Sequence, residues 1–458
     1  MNRIHHRGPD DQSIWSEGDT ALGFVRLAIN GDLIEGQQPC ADGALASAFN
    51  GEIYNFKDLA QRYGLGHYCS DTLIILPLFQ LLGPEIIHQL DGFYSGVIVN
   101  NEAQKVVCLR DHMGKKPLFF GFSEGDLFIT SELKALNHID CFEPLPIGVS
   151  EIDLTSGTVT QILDHQAQAT TNNLNELLHN AVLKRLPDSE QPLGLFLSGG
   201  LDSSLIASIA SKYRDDIHYF TLGTEEGSDH QAVQTVIEAL NLKKVTFVPL
   251  PSKSEIPALI ENIVLATESY NPSIVSNGLA TWLLARAARQ AGIKVVLTGE
   301  GADELFGGYH QFSQTDPWRE TRRQLIQDMQ FTELRRLDMA SMAHSIEARC
   351  PFLDAKLRSL SDQFEFEQFY RSNQNKVSLR SSFETYLPES ILQRRKTSCD
   401  VGSGIRGMVV CLKRNGRSER EELRDIWKQH FPFDHSHPYF HQYAAFDRFI
   451  DQRGEEHK

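Results

Sequence analysis

A glycine- and serine-rich stretch in the middle of the chain has the residue types that bind phosphate. It follows a short apolar run, which predicts a buried strand, and it precedes a helical pattern. Its members are Ser198, Gly199, Gly200, Leu201, Asp202, Ser203 and Ser204. Glycines permit close backbone approach, serines cap helices, and a helix N-terminus offers N–H groups and a positive dipole end. The stretch therefore predicts a phosphate cradle at the carboxyl end of a strand, where α/β sheets bind ligands.

This stretch lacks the Gly-Lys-Ser/Thr ending of a Walker A loop, so it does not indicate transfer of a γ-phosphate. It resembles the PP-loop motif of the ATP pyrophosphatases. That resemblance implies adenylation of a substrate with release of pyrophosphate. A glycine-rich turn with a serine cap and no ligand is the alternative, and the seven matching positions favour the phosphate cradle over it.

A second glycine-rich stretch, residues 298–309 (TGEGADELFGGY), follows the apolar run IKVVLT and contains three carboxylates. Glu300, Asp303 and Glu304 would repel one another there unless a cation or a reacting group were present. Magnesium prefers one or two carboxylates together with phosphate oxygens. We therefore predict that Asp202 and Asp303 bind magnesium together with the phosphates of ATP. A glycine-rich loop with a carboxylate-capped helix is the alternative.

Charged side chains occur in three further segments. The run LQRRK, which ends at residue 396, is a positive site in an acidic protein and is suited to hold departing pyrophosphate. Lys376 and Arg380, one helical turn apart, form a second positive site, for which solvated surface charge is the alternative. Glu347 and Arg349 lie in the segment EARCPFLD. A buried ion pair and a substrate-side role are both open for these two residues.

The elements that must position these residues fall into two groups. The first third of the chain has short alternating or apolar runs separated by Gly, Asn and Asp, with one helical segment near residues 72–82. This pattern predicts a β-rich α+β layered sandwich. Strands that alternate with helices of ten or more residues then predict a doubly wound parallel α/β sheet. We expect its strands at residues 193–197, 217–222, 244–250 and 293–298, the last closing the series, before a mostly helical remainder.

Length and composition indicate two globular domains. The chain has 458 residues and 41% hydrophobic content, which is enough for two cores. We place the domains at residues 1–165 and 172–458, with the polar residues 165–173 as a linker. The net charge of −16 is spread along the chain, which disfavours nucleic acid and anionic membrane as obligate partners. Small-molecule substrates are expected instead, and a homodimer is left open.

The seven cysteines are widely spaced and never paired as CxxC. This spacing argues against a disulfide framework and against a thiolate zinc site. No stretch approaches the ~18 consecutive apolar residues of a membrane span, and the N-terminus has no apolar signal-peptide core. These features predict a cytoplasmic protein.

Four motifs together resemble the glutamine-hydrolysing asparagine synthetases over nearly the whole chain. The SGGLDSS loop, the TGEGADELFGGY loop, the segment SMAHSIEARCPFLD and the lysine of QRRKTS occur in that family's order. The resemblance implies a ligase domain that binds ATP and magnesium and adenylates the side-chain carboxylate of aspartate. Ammonia would then attack the β-aspartyl-AMP intermediate, so that the products are asparagine, AMP and pyrophosphate.

The resemblance also implies roles for individual residues of the ligase domain. The adenosine would lie between two pairs of residues, Leu197 and Leu222 on one side and Thr298 and Gly299 on the other. Asp202 and Asp303 would hold magnesium, and Lys396 would hold pyrophosphate. Glu300 falls where the family has an essential acidic residue near the acyl-adenylate, and there it would accept a proton from attacking ammonia.

The first domain resembles the family's glutaminase, which has an N-terminal-nucleophile fold. Arg26 would clamp the α-carboxylate of glutamine, Asn50 and Gly51 would form the oxyanion hole, and Asp71 would bind the α-amino group, with Glu52 beside them. The stretches RDHMGKKPLFFG and TSELKAL also match. In such a domain a cysteine at position 1 supplies both the thiolate and its α-amino base.

The sequence departs from the glutaminase pattern at its start. Residue 2 is Asn, and no cysteine occurs before Cys40. Either the gene product begins further upstream with its cysteine, or the glutaminase is inactive and free ammonia feeds the ligase. We favour the first explanation because the glutamine-binding positions are retained, and a lineage without glutaminase activity would not need them.

Two other functions are alternatives to asparagine synthesis. The β-lactam synthetases resemble this chain in lacking the cysteine, and they use the adenylate for ring closure on another carboxylic acid. They carry tyrosine where this chain has Glu300, so Glu300 favours ammonia chemistry. A non-catalytic scaffold is disfavoured because every phosphate and metal candidate is intact. Residues 270–278 (YNPSIVSNG) are the expected place for acyl-substrate specificity, although a helix-breaking loop explains their composition equally well.

Overall fold

A computed structural model describes residues 1–31, 36–136, 138–139, 141–165, 171–223, 228–309, 318–395, 397–409 and 417–441. The chain divides into two compact units. Unit 1 comprises Met1–Ala167 with Phe431–Asp434, and unit 2 comprises Gln168–His430 with His435–Lys458. Most of the predicted linker lies outside the described residues.

Unit 1 is built on antiparallel strands, as its alternating pattern predicts. The strands are β1 Asp11–Glu17, β2 Thr20–Arg26, β3 Cys40–Asp42, β4 Leu45–Ile53, β5 Gly92–Asn100, β6 Lys105–Arg110, β7 Phe119–Ser123, β8 Asp126–Thr130, β9 Glu143–Pro144, β10 Gly148–Asp153 and β11 Val159–Leu163. Six of them form a sheet in the order β11-β10-β6-β5-β4-β3, three form a sheet in the order β8-β7-β9, and β1 and β2 form a hairpin. The β-rich character of this part of the chain is confirmed.

Two α-helices pack against the six-stranded sheet, where the sequence predicts one. Helix α2, Ile75–Leu82, is the expected one, and helix α1, Phe56–Tyr63, is additional. Helix α1 is mostly polar and buries only Phe56, Leu59 and Ala60. These three residues share one face at i, i+3 and i+4 and join the same core as Ile75 of α2. Three apolar residues on one face of an eight-residue run give a weak periodic signal, so the sequence does not predict this helix.

The longest apolar helical stretch of unit 1 runs from Asp71 to His88. By length and composition alone it reaches what a membrane span requires, and 44% of it is buried in the fold. Ile74, Ile75 and Leu78 are fully buried in the core beneath the six-stranded sheet. Their burial is what a core helix of a globular unit requires.

Unit 2 contains a five-stranded parallel sheet. Its strands are β12 Leu193–Phe196, β13 His218–Leu222, β14 Lys244–Val248, β15 Val295–Leu297 and β16 Glu347–Arg349, and a separate hairpin consists of β17 Tyr370–Arg371 and β18 Gln374–Asn375. The order in the sheet is β14-β13-β12-β15-β16. The chain runs outward from β12 to β14 and then returns to β15, so the order reverses between β12 and β15. The loops after these two strands therefore leave the sheet side by side, at the switch point where open α/β sheets bind ligands.

Strand β16 corrects the prediction that the strand at residues 293–298 closes the series. It pairs in parallel with β15, with Glu347 opposite Val295 and Arg349 opposite Leu297. Only three residues long and carrying two charges, it lacks the apolar run by which buried parallel strands are recognised. Its charges are tolerated because they pair with one another inside the fold.

The helices of unit 2 account for most of its remaining residues. They are α3 Leu174–Leu183, α4 Leu201–Ala210, α5 Ser228–Leu240, α6 Ile256–Thr267, α7 Pro272–Gln290, α8 Ala302–Phe306, α9 Trp318–Asp328, α10 Glu333–Met342, α11 Ala355–Ser361, α12 Phe366–Phe369, α13 Val377–Ser382, α14 Glu389–Leu392, α15 Cys399–Gly402, α16 Ile405–Val409, α17 Glu419–His430 and α18 Pro438–His441. The mostly helical character expected of the remainder is confirmed for the part of it that the structure describes.

Helix α7 begins at Pro272, inside the segment for which a helix-breaking loop is one of the two sequence-based interpretations. Asn271 caps the helix by accepting hydrogen bonds from the N–H groups of Ser273, at 2.9 Å, and Ile274. Pro272 occupies the first turn, where its missing N–H costs nothing. Residues 272–278 are therefore helical, and the interpretation of this segment as a helix-breaking loop is wrong. Proline and asparagine mark a helix start here.

Candidate active site

The SGGLDSS loop leaves β12 and enters α4 with its serines bonded to one another. Ser198 N–H donates to Ser203 Oγ at 3.2 Å, the two hydroxyl oxygens lie 3.1 Å apart, and Gly200 N–H donates to Ser198 Oγ at 3.3 Å. Gly200 is the N-cap of α4, and the Ser204 hydroxyl is buried against the loop without a hydrogen-bond partner among the described residues. The loop is thus held in one shape, with the amino end of a ten-residue helix behind it.

Gly199 gives this loop its close approach to helix α5. Its φ is +68°, and a Cβ atom there would lie 2.7 Å from Val233 N and 2.8 Å from Ala232 Cβ. Neither neighbour can move without shifting the backbone of α5. The position therefore needs glycine for two separate reasons, left-handed backbone and lack of space.

We expect the substitution Gly199→Ala to weaken ATP binding at least tenfold and to lower the melting temperature by several degrees, because both strain and collision act there. The matched control is Gly292→Ala, at a φ of +78° with nothing within 4 Å of the added carbon. It shares the strain and lacks the collision. Calorimetric titration with ATP and thermal unfolding of both variants measure the difference. Equal ATP affinities for the two variants would contradict the assignment of this loop to phosphate.

The second glycine-rich loop lies directly against the first. A Cβ atom on Gly299 would lie 2.8 Å from Ser203 N and 2.9 Å from Asp202 Cβ. Thr298 N–H donates to Arg349 O at 3.0 Å, which continues the pairing of β15 with β16 beyond the strand. The structure thus brings together the two stretches that the sequence singles out, as the switch point requires.

A lysine joins the carboxylates of the two loops. Lys376 Nζ lies 2.7 Å and 2.6 Å from the two carboxylate oxygens of Asp202 and 2.6 Å from Asp303 Oδ1. Lys376 is only 2% exposed. Solvated surface charge, the alternative for this lysine, is therefore wrong.

The other basic side chains line a pocket in front of the SGGLDSS loop. This pocket is lined by residues that include Ser198, Gly200, Asp202, Arg380 and Arg394. Arg380 is buried, and its Nη1 has no hydrogen-bond partner among the described residues. Burial lowers the pKa of this guanidinium, and the attraction of Asp202 partly opposes the effect. An unpartnered guanidinium nitrogen in such a pocket suits a phosphate oxygen.

The run LQRRK is held against the same loop at one arginine. Arg394 Nη2 donates to Asp229 Oδ1 at 2.5 Å, and its Nη1 donates to Ser198 O at 3.4 Å. Lys396, the predicted pyrophosphate ligand, lies outside the described residues. The role of Lys396 therefore stays a prediction.

Glu300 forms an ion pair that the sequence does not reveal. It contacts Arg336 Nη2, and Arg336 Nη1 donates to Thr281 Oγ1 at 3.0 Å. Burial alone would lower the pKa of the Arg336 guanidinium, but the attraction of Glu300 and Glu333 outweighs burial and raises the pKa. Arg336 stands 36 residues beyond Glu300 in a helix rich in arginine, so no local pattern distinguishes it.

Two further carboxyl groups lie in the same acidic region, the buried Glu304 and the partly buried Glu333. Burial raises the pKa of Glu304 well above its usual range, and the negative charges of Glu333, Asp303 and Glu300 add to the effect. Burial also raises the pKa of Glu333. Tyr309 donates its hydroxyl hydrogen to Glu304 Oε1. Both raised pKa values shift these carboxyl groups towards the neutral form.

The leucines predicted to flank adenosine lie at the carboxyl ends of strands β12 and β13. Leu197 and Leu222 are both buried, and Leu197 N–H donates to Phe220 O at 2.8 Å.

The edge strand β16 carries Glu347 and Arg349. Arg349 Nε donates to Glu347 Oε1 at 2.8 Å, and both side chains are buried. The buried ion pair, one of the two alternatives for Glu347 and Arg349, is what the structure shows.

In unit 1 an asparagine joins two of the predicted glutamine-binding residues, Arg26 and Glu52. Arg26 Nη2 donates to Asn30 O at 3.1 Å, and Asn30 Nδ2 donates to Glu52 Oε1. Asp71 Oδ2 accepts the Ile53 N–H at 2.8 Å, which fixes Asp71 at the end of β4. Asn30, the last residue of the segment VRLAIN, is the member that the sequence reasoning missed. It orients both charged groups.

Asn50 and Gly51 lie at the same end of β4. The Asn50 amide nitrogen is buried and has no hydrogen-bond partner among the residues that the structure describes. Gly51 has a φ of +140°, and any side chain there would collide with Phe93 O. A buried donor without a partner costs free energy unless a ligand accepts its hydrogen. The geometry is therefore compatible with the predicted oxyanion role.

The opening stretch of the chain is fixed by a buried carboxylate. Glu132, in the segment TSELKAL, lies 2.7 Å from Arg7 Nη1, 2.6 Å from Lys134 Nζ and 3.0 Å from His6 Nε2. Burial alone would raise the pKa of Glu132, but the attraction of Lys134, His6 and Arg7 outweighs it and holds the pKa well below its usual range. The opening residues and the segment TSELKAL, far apart in the chain, thus form one ion-pair cluster.

Comparison with known proteins agrees with this two-unit arrangement. A family model described as a glutamine amidotransferase domain matches residues 1–187, and one described as asparagine synthase matches residues 173–331 and 312–432. A probable glutamine-hydrolysing asparagine synthetase of Dictyostelium discoideum is 30% identical over 91% of this chain and 83% of its own length. Asparagine synthetase B of Escherichia coli is 30% identical over 94% and 83%, and the asparagine synthetase of Brassica oleracea is 31% identical over 98% and 82%.

The fold, the paired loops and these matches define a carbon–nitrogen ligase that combines an amidotransferase domain with an ATP-using domain. More narrowly, the chain belongs to the asparagine synthetase family.

Proposed function

We propose that this protein makes asparagine from aspartate and ATP by way of a β-aspartyl-AMP intermediate, with AMP and pyrophosphate as the other products. One observation carries the proposal. The SGGLDSS and TGEGADELFGGY loops touch at the switch point of the parallel sheet. As a result, the carboxylates of Asp202 and Asp303 both contact the ammonium group of Lys376. Such a site suits the phosphates of ATP rather than an isolated metal ion.

Asp202 and Asp303 are the residues that would hold magnesium. Their carboxylate oxygens converge on a single ammonium nitrogen at 2.6 to 2.7 Å, so the donor set fits a small hard cation. When bound, magnesium neutralises charge on the phosphates of ATP. Arg380, Arg394 and Lys396 would bind the pyrophosphate as it leaves, because guanidinium and ammonium groups bind phosphate oxygens strongly.

Glu300 would serve the second half of the reaction. Ammonia must lose a proton as it attacks the acyl-adenylate, and a carboxylate close to that carbon can accept it. The Glu300 side chain is 25% exposed and that of its partner Arg336 is 10% exposed, so the carboxylate is the more accessible member of the ion pair. Leu197, Leu222, Thr298 and Gly299 would bind the adenosine.

The nitrogen comes from glutamine or from free ammonia. The arrangement of Arg26, Asn30, Glu52 and Asp71 around one end of β4 supports glutamine binding in unit 1. The widely spaced cysteines, never paired as CxxC, support a cytoplasmic location, and the net charge of −16 supports small-molecule partners.

The test uses aspartate labelled with ¹⁸O in its side-chain carboxylate. The full chain is incubated with ATP, magnesium and labelled aspartate, with ammonia, with glutamine or with neither. We expect asparagine and pyrophosphate in equal amounts with ammonia, and one ¹⁸O atom in each AMP. Asparagine without label in AMP would overturn the adenylate. Pyrophosphate released only with a different amino diacid would overturn aspartate as the substrate and favour ring closure or another acceptor.

A further inference from the structure

Lys376 stands between the two carboxylates that we assign to magnesium. Its ammonium makes three contacts of 2.6 to 2.7 Å with Asp202 and Asp303. The side chains of the three residues are 3%, 14% and 11% exposed, so water competes weakly for these contacts. A divalent cation that used the same oxygens would have to displace the ammonium.

The backbone around Lys376 is fixed, and the side chain is the part that can move. Lys376 has a φ of +53°, Asn375 Nδ2 donates to Gly308 O at 2.6 Å, and Arg380 donates to Asn375 O and Oδ1 at 2.7 and 2.8 Å. Any side chain at position 308 would collide with Asp303 Oδ1 and Lys376 Cε. Only rotation of the flexible four-carbon stem can take the ammonium away from the carboxylates.

Two carboxylates alone are a poor site for a free divalent ion. Among the residues that the structure describes, no group of three or more His, Cys, Asp or Glu side chains could hold a metal ion. A metal ion and the ammonium would also repel each other at contact distance. A bound nucleotide removes both the shortage of ligands and the repulsion, because its phosphates add ligands for the ion and offer the ammonium a new anionic partner.

We propose that Lys376 is the resident counter-ion of the magnesium site, and that it makes metal binding conditional on ATP by occupying Asp202 and Asp303 until the nucleotide arrives. This inference rests on the proposed function, because it assumes that these two residues bind the metal of a metal–ATP complex. It adds an order of binding, in which the metal enters with the nucleotide and not before it.

The test measures binding of Mn²⁺ alone, by electron paramagnetic resonance of the free ion. We expect Lys376→Met to bind one Mn²⁺ at least tenfold more tightly than the wild type without nucleotide. The double variant Lys376→Met, Asp303→Asn should lose that gain. Lys105→Met is the matched control, since it removes an ammonium from the Glu151 ion pair in unit 1, and its Mn²⁺ affinity should equal that of the wild type.

Equal Mn²⁺ affinity of wild type and folded Lys376→Met would overturn the inference. If Lys376→Met does not fold, the wild type and Asp303→Asn decide the matter, because both should bind Mn²⁺ equally weakly without nucleotide. A loss of affinity in Asp303→Asn would mean that the ammonium does not block the site. Binding of α,β-methylene-ATP with Mn²⁺ is measured in parallel. Failure of the wild type to bind this complex would sink the proposed function itself, whereas binding of the complex together with a failed Lys376 test would sink only this inference.

Discussion

The substitution Glu300→Gln should reduce the rate of asparagine formation from ammonia by about 10²- to 10⁴-fold, the usual contribution of a general base. Glutamine keeps the size of the side chain and still accepts a hydrogen bond from Arg336, but it cannot take a proton from ammonia. Formation of the adenylate should be little changed. Exchange of labelled pyrophosphate into ATP with aspartate present measures the first half of the reaction, and asparagine formation measures the second.

Glu304→Gln is the matched control, four residues further along the same loop. Burial and three neighbouring acidic groups raise the pKa of Glu304 well above its usual range, so its carboxyl group favours the neutral form. An amide has nearly the same shape and polarity as a neutral carboxyl group, and Tyr309 can still donate to its oxygen. We therefore expect near-wild-type activity from Glu304→Gln.

The pair of variants separates a chemical role from a structural one. If both glutamine variants lose activity equally, the acidic region serves packing and electrostatics as a whole, and the base assigned to Glu300 is wrong. If Glu300→Gln loses pyrophosphate exchange together with amidation, Glu300 acts in adenylation or in binding of aspartate. Only a selective loss of the amidation step agrees with the proposed proton transfer.

Much of this site could be predicted because its parts are contiguous in sequence. The SGGLDSS and TGEGADELFGGY loops each follow an apolar strand, and the order of a parallel sheet then brings them together. Lys376 and Arg336 differ in this respect. Each belongs to a short or charged helical segment, and nothing local tells a buried, paired cation from a solvated one. Their burial arises from tertiary packing, which brings together residues up to 174 positions apart.

The fold shows the same division between local and non-local signals. Long apolar strands such as β5 and helices such as α6 are recognisable from periodicity. Strand β16 is a strand only because β15 offers it a partner, and its charges pair inside the fold. The early start of α7 was readable in principle, because Asn271 followed by Pro272 is a helix N-cap and first turn. Proline also breaks helices, so the composition of residues 270–278 alone is equally compatible with a loop.

The substitution Glu132→Gln should lower the free energy of unfolding of unit 1 by about 3–5 kcal/mol, since removal of one partner leaves buried charges uncompensated. Glu132 is fully buried with Arg7 and Lys134 beside it. Native-state hydrogen exchange of peptides from β5 and β6, followed by mass spectrometry, measures this loss within unit 1. The control is Glu151→Gln, which breaks the half-exposed ion pair with Lys105 in the same unit and should cost far less.

The loss should also depend on pH, with a sign fixed by the pKa of Glu132. The folded-state pKa lies well below the ordinary glutamate value of 4.5, so the unfolded chain binds this proton more readily. The stability contributed by the carboxylate is therefore complete above that ordinary value and is lost as pH falls through the lower folded-state value. The difference between wild type and Glu132→Gln should be constant near neutrality and shrink in acid. A difference that grew as pH fell would mean that Glu132 is neutral in the folded protein, and the buried cations around the opening stretch would then need another partner.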